Sequence, residues 1–293
     1  MRVILAIRIK DKVISIKVKT ITEAVADLCV KSNYELPKDV IGKIKEAKAK
    51  EKSELGNYCF DQILRNLRIA KMKKVPICQD TGMVVVFVEI GQDVHITGGT
   101  LSDAINEGVR IGYERGYLRK SIVDDPIFSR KNTGDNTPAV IHTSITSGSK
   151  INITVVPKGF GSENMSGLTV LKPTEGAEGV KEFVVDTVKQ AGANPCPPII
   201  VGVGIGGTIE KAAMLSKQAL IRSLNKSNVD AKMAGLEKQI LIEINKLNIG
   251  PQGFGGSITA LSVNIETYPT HIAGLPVAVN IGCYVSRHAS VIL

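Results

Sequence analysis

The run Ile199-Ile200-Val201-Gly202-Val203-Gly204-Ile205-Gly206-Gly207-Thr208 narrows most sharply what this chain can become. Its apolar residues are mainly β-branched and have no polar interruption, so it reads as a strand buried on both faces. The glycines at its end turn the chain into an amphipathic helix from Ile209 to about Asn225. A buried strand feeding a helix is the building unit of an α/β protein. The pattern recurs. Met83 to Ile90 is an apolar strand, and Gly98-Gly99-Thr100 leads into a helix from about Leu101 to Gly116. Further strands are expected at Ala139–Ile145, Ile151–Val156, Ser257–Glu266 and Leu275–Ile281, and further helices at Glu175–Ala191 and Ala231–Leu247. The fold class is therefore α/β, with mixed sheets and flanking helices.

The front of the chain has a different character. Residues 2–19 alternate apolar and basic residues, which predicts a hairpin turning at Lys10-Asp11-Lys12. Thr20 or Thr22 then caps a helix to about Lys31, Pro37 starts a second helix to Lys52, and Glu54 to Lys73 forms a third. Residues 1–74 hold 18 Lys/Arg against 9 Asp/Glu, while residues 75–293 hold 19 of each. The expected organisation is a basic, mostly helical region, 1–74, and an α/β region, 75–293, read as one continuous domain. Such a basic region suits a solvated lysine-coated face, nucleic acid or an acidic partner. Without interleaved aromatic residues it makes a poor platform for single-stranded nucleic acid. No apolar run approaches the ~20 residues that cross a bilayer. The N-terminus carries a charge inside its apolar stretch and lacks a cleavage site. The expected compartment is the cytoplasm.

Gly202-x-Gly204-x-x-Gly207 matches a dinucleotide fingerprint in the right context. The acid expected about 20 residues on is replaced by Leu220-Ile221-Arg222-Ser223. Close packing of a helix on its strand requires the same glycines, so both readings stand. The five cysteines are odd in number and include no Cys-x-x-Cys, which argues against a disulfide framework or a zinc ribbon. Cys29 and Cys59 fall on apolar helix faces and read as core residues. Cys78, Cys196 and Cys283 each lie in a turn beside an apolar strand, near Pro or Gly. Three such thiols suit either one iron–sulfur cluster with an open iron or three unrelated buried positions. Cys78 stands in Lys74-Val75-Pro76-Ile77-Cys78-Gln79-Asp80-Thr81-Gly82-Met83, where a thiol, an amide and an acid adjoin as poor core material. His95 and His142 lie in strand-like runs. His271, twelve residues before Cys283, is the better candidate for proton work.

Five motifs in order resemble one family: Ile77-Cys78-Gln79-Asp80-Thr81-Gly82, Asn132-Thr133-Gly134-Asp135-Asn136-Thr137-Pro138-Ala139, Gly159-Phe160-Gly161-Ser162-Glu163-Asn164, Asn194-Pro195-Cys196-Pro197-Pro198 and Asn280-Ile281-Gly282-Cys283. Together they look like the alpha subunit of class I fumarate hydratase and its L-tartrate dehydratase relatives. The resemblance implies a hydro-lyase with a 4Fe–4S cluster on Cys78, Cys196 and Cys283. The cluster's free iron acts as Lewis acid on the C2 hydroxyl of a dicarboxylate, with malate and fumarate as the first reading and L-tartrate as the alternative. It also implies substrate contacts from Gln79, Arg119 and the backbone of Gly161, and a proton-handling pair in Asp80 and His271. Arg130 is an alternative anion binder to Arg119. Fused members of the family carry a second domain with further contacts and the proposed base. Since this sequence stops ten residues after Cys283, the expectation is half an enzyme that needs a separate beta subunit.

Overall fold

The computed structural model describes residues 14–293. The first part of the expected hairpin, with its turn at Lys10-Asp11-Lys12, lies outside them. In chain order the first half comprises β1 (Ile14–Lys17), α1 (Val18–Tyr34), α2 (Lys38–Lys50), α3 (Glu54–Lys73), β2 (Met83–Gly91), β3 (Val94–Thr97), α4 (Leu101–Arg115), β4 (Val140–Thr146) and β5 (Ile151–Lys158). The second half comprises α5 (Phe160–Glu163), β6 (Gly167–Leu171), α6 (Gly176–Ala191), β7 (Ile199–Gly206), α7 (Ile209–Ile221), α8 (Ala231–Lys246), β8 (Ala260–Tyr268), β9 (Leu275–Gly282) and β10 (Ala289–Ile292). Mixed sheets with flanking helices make the chain an α/β protein. Among the described residues, no helix is long and apolar enough to cross a membrane.

The chain folds as two compact units, each assembled from separated segments. Among the described residues, one comprises 14–31, 84–156 and 289–293, the other 32–83 and 157–288. The expected division at 74/75 falls inside the second.

In the first unit a four-stranded sheet runs in the order β10-β5-β2-β4, and β1 pairs in parallel with β3. Helix α4 lies hard against α1. A Cβ on Gly108 would stand 2.7 Å from the Thr22 carbonyl, and one on Gly112 would stand 2.8 Å from the Cβ of Cys29. Cys29 is thus a buried core thiol, pushed up to about 12 by burial, with Arg115 pulling against the rise. His142 stacks on Phe87 across the parallel β2–β4 pair.

In the second unit the sheet order is β6-β9-β7-β8, with β7 parallel to β8 and antiparallel to β9. Alternation along β7 sorts its two faces. Ile199, Val201 and Val203 pack with Val184 and Val188 of α6 and Ile240 and Ile244 of α8. Gly202 and Gly204 face α7. A Cβ on either would come within 2.1 Å or 2.0 Å of the carbonyl of Ser216 or Ala212, so α7 can lie on the strand only where side chains are missing. Helix packing therefore accounts for the glycine motif. Arg222, where a dinucleotide-binding acid would stand, donates to the Ile265 carbonyl and pairs with Glu237 and Glu266.

Helices α2 and α3 join this unit through apolar faces. Ile44, Phe60, Ile63 and Ala70 cluster with Ile77, Ile200 and Leu220. Glu51, just past α2, accepts backbone N–H groups from Lys52, Ser53, Ser257 and Ile258 at 2.8–2.9 Å. Burial pushes its carboxyl upward, but these donors outweigh burial and hold it below the usual carboxylate range.

Candidate active site

The second unit brings the three loop cysteines to one end of its sheet. Cys283 follows the last residue of β9, and Gly282 pairs with Ile200 near the start of β7. Cys196 lies just before that start. Cys78 and Cys283 pack against the same apolar cluster as Ile200. Their electrostatics agree. Burial pushes the Cys196 thiol up, and Cys78 adds to the rise. Burial also raises Cys283, with Arg287 pulling against it and Cys78 adding to it. Tyr284 is pushed up to about 12 by burial and then by Cys283, Cys78 and Cys196, so one phenol senses all three sulfurs.

Each thiol is held by a device of its own. The Cys78 loop is strapped by Ile77, whose N–H donates to the Asn33 carbonyl at 2.9 Å while its carbonyl accepts from Asn66 at 2.8 Å. Cys196 is exposed and adopts φ 54°, a left-handed conformation that disfavours an L side chain by about 1–2 kcal/mol. Such outliers persist where the surroundings over-determine them, and they gather at functional sites. Here Gln252 donates both its backbone N–H (2.8 Å) and its side-chain amide (2.7 Å) to the Pro197 carbonyl. Cys283 sits in a turn that continues to Arg287.

Asp80 ties two loops together. Its Oδ1 accepts from Gly82 N–H at 3.0 Å, and its Oδ2 accepts from Phe160 N–H at 2.9 Å. The Gly159-Phe160-Gly161 turn therefore sits against the segment that carries Cys78, Gln79 and Asp80. Gln79 and Gly161 are both exposed there. Glu163, from the same turn, accepts from Asn280 at 3.0 Å and pairs with Lys217 and Lys158, so the turn is also fixed to β9. Burial pushes buried Lys158 down to about 8, and Glu163 pulls against the fall.

Arg119 and Arg130 belong to the first unit. Arg119 is exposed in a loop braced by Asn132, which donates to the Lys120 carbonyl, and by Asn136, which accepts from Ser121 N–H. Arg130 donates to the Pro126 carbonyl of its own turn. His271 lies in the second unit but precedes β9, whereas Cys283 follows it. Eight extended residues at about 3.3 Å each separate the two by on the order of 25 Å. His271 instead lines a cleft with Gly207, Thr208, Lys211 and Tyr268, and its Nδ1 accepts from Ala273 N–H. Asp80 and His271 do not meet within one chain.

The sequence alone assigns no role to Arg287, Gln252 or Asn66. Arg287 is only 4% exposed. Its Nη2 donates to the Asp80 carbonyl, while Nε and Nη1 have no hydrogen-bond partner among the described residues. Arg287 follows Cys283 by four residues, and that proximity was the one available hint.

Fold and site together define an α/β protein with three thiols and a carboxylate-tied glycine turn at one end of a mixed sheet. The family model described as fumarate hydratase (Fumerase) matches residues 22–292, and the chain belongs to that family, whose members are hydro-lyases. A Methanocaldococcus jannaschii protein, named provisionally as an L(+)-tartrate dehydratase subunit alpha, is 42% identical over 274 residues, covering 92% of this chain and 96% of that one. The L(+)-tartrate dehydratase subunit alpha of Escherichia coli is 33% identical over 278 residues, covering 94% and 91%.

Proposed function

We propose that this chain is the alpha subunit of an iron–sulfur hydro-lyase acting on a 2-hydroxy dicarboxylate. The observation that carries the reading is the meeting of Cys78, Cys196 and Cys283 at one sheet end beside the Asp80-tied turn. The donor set fits a 4Fe–4S cluster. Among the described residues, no three His, Cys, Asp or Glu side chains close on a point as ligands of a single ion do. Thiols that each hold a different iron stand farther apart than that. Three thiolates leave one iron open, and that iron supplies Lewis-acid chemistry to a leaving hydroxyl.

The chain's own residues do the rest. In this reading Asp80 handles the hydroxyl's proton, and its two contacts, to Gly82 and Phe160 N–H, support that by fixing the carboxylate. Gln79 and the Gly161 backbone are exposed beside it as donors to substrate oxygens. Arg119 offers a guanidinium suited to a bidentate carboxylate contact. His271 takes the proton role implied by the resemblance only across an interface with a second copy of the chain. The matched relatives are named as alpha subunits, which supports a separate beta subunit completing the pocket. The names of these relatives favour tartrate, while the family description favours malate and fumarate.

The test is anaerobic purification of the chain alone and with its beta subunit, followed by assays on L-malate and L-tartrate. Both preparations bind iron and sulfide. The chain alone turns over at least about 10²-fold more slowly, because positioning groups are missing. Equal activity of the chain alone contradicts the two-subunit reading, and no turnover of either acid by the complex contradicts the substrate class.

A further inference from the structure

Arg287 poses a problem that the fold alone does not answer. A guanidinium is always charged and presents five N–H donors. Here it is 4% exposed, and the structure satisfies only Nη2, through the carbonyl of Asp80. Nε and Nη1 are buried without an acceptor. A buried cation with unmade hydrogen bonds is costly, and native chains rarely keep one without a partner of opposite charge. No carboxylate pairs with Arg287 among the described residues. Cys283 stands four positions earlier, and Asp80 two positions after Cys78, so the side chain spans two of the thiol-bearing loops.

We propose that Arg287 is a positioning residue for the sulfur site: it clamps the Cys78–Asp80 loop through Nη2 and donates Nε–H and Nη1–H to sulfur of the group held by the three cysteines. This rests on the iron–sulfur reading above. A hydrogen-bonded guanidinium stabilises the more negative, reduced form of such a group, and net charge and hydrogen bonds to sulfur are what set a cluster's potential. The same donors shield sulfur from oxidants.

The test compares wild type, Arg287→Met and Arg287→Lys in the anaerobically reconstituted full chain with its beta subunit. The readouts are the reduction potential, followed by electron paramagnetic resonance of the reduced cluster, and the rate of bleaching in air. Arg287→Met is expected to load iron and sulfide, to shift its potential to a more negative value and to bleach several-fold faster. Arg287→Lys keeps the charge but cannot span both partners, and falls between. Should Arg287→Met fail to load, Arg287→Lys still decides: a potential and bleaching rate equal to wild type overturn the proposal. Unchanged substrate-free values in Arg287→Met, with an altered spectral response only when dicarboxylate is added, also overturn it, by moving the acceptor to substrate. A wild-type chain that takes up no cluster instead overturns the underlying iron–sulfur reading.

Discussion

Cys196→Ala yields a folded chain that takes up far less iron and sulfide on anaerobic reconstitution, and its complex with the beta subunit loses hydro-lyase turnover. The expectation of an intact fold follows from the site. Cys196 is exposed, so its removal opens no core cavity, and alanine retains the same left-handed strain. Gln252 still braces the loop through the Pro197 carbonyl. Cys78→Ala and Cys283→Ala are expected to lose the broad ~400 nm iron–sulfur absorption in the same way. Cys29→Ala keeps it, because Cys29 is buried on α1 against α4 in the other unit. Iron and sulfide analysis with absorption spectra checks the set. Full loading of any of the three site variants removes that thiol from the ligand set.

Asp80→Asn gives the second large effect, and of the opposite kind. Cluster content stays near wild type, while kcat falls by about 10²–10⁴-fold, the usual range for a lost general acid or base. The amide keeps one oxygen acceptor for Gly82 or Phe160 but turns an NH₂ toward the other donor, so one contact is lost. Hydrogen bonds to charged groups are worth about 1.5–3 kcal/mol, so the unfolding midpoint in urea is expected to fall as well. Iron content, kcat and urea unfolding together separate the chemical loss from the structural one. A variant that retains kcat within a few-fold takes proton handling away from Asp80.

How much of this was legible in the sequence depended on how local each signal is. The Ile199–Thr208 run carries its own period, glycines and following helix, and β7 and α7 form where it indicates. Helix α3 spans Glu54–Lys73 as expected, with Ser53 capping it by accepting from Gly56 N–H. The short strands β3, β6 and β10 were missed. They span four or five residues with mixed burial, and only their distant partners define them. The three thiols are visible as candidates and the resemblance implies that they share one cluster, but their spacing alone leaves both readings open, because nearness depends on Gly282 pairing with Ile200. His271 is a case of sequence nearness without nearness in one chain. Twelve residues of separation suggested nearness to Cys283, yet eight of them form the extended strand β9, which carries the histidine to the far end of the sheet. Arg287 and Glu51 carry no local signal, because the partners that define them lie about two hundred positions away.

Iron-57 Mössbauer spectroscopy of the anaerobically reconstituted complex, before and after addition of the dicarboxylate, tests the central claim most directly. The expected result is a 4Fe–4S signal in which one iron shifts on substrate addition while the other three do not, because a cluster held only by Cys78, Cys196 and Cys283 would leave one position for the substrate's hydroxyl and carboxylate. A cluster whose irons all stay unchanged with substrate, or a complex that turns over substrate without iron and sulfide, would contradict it.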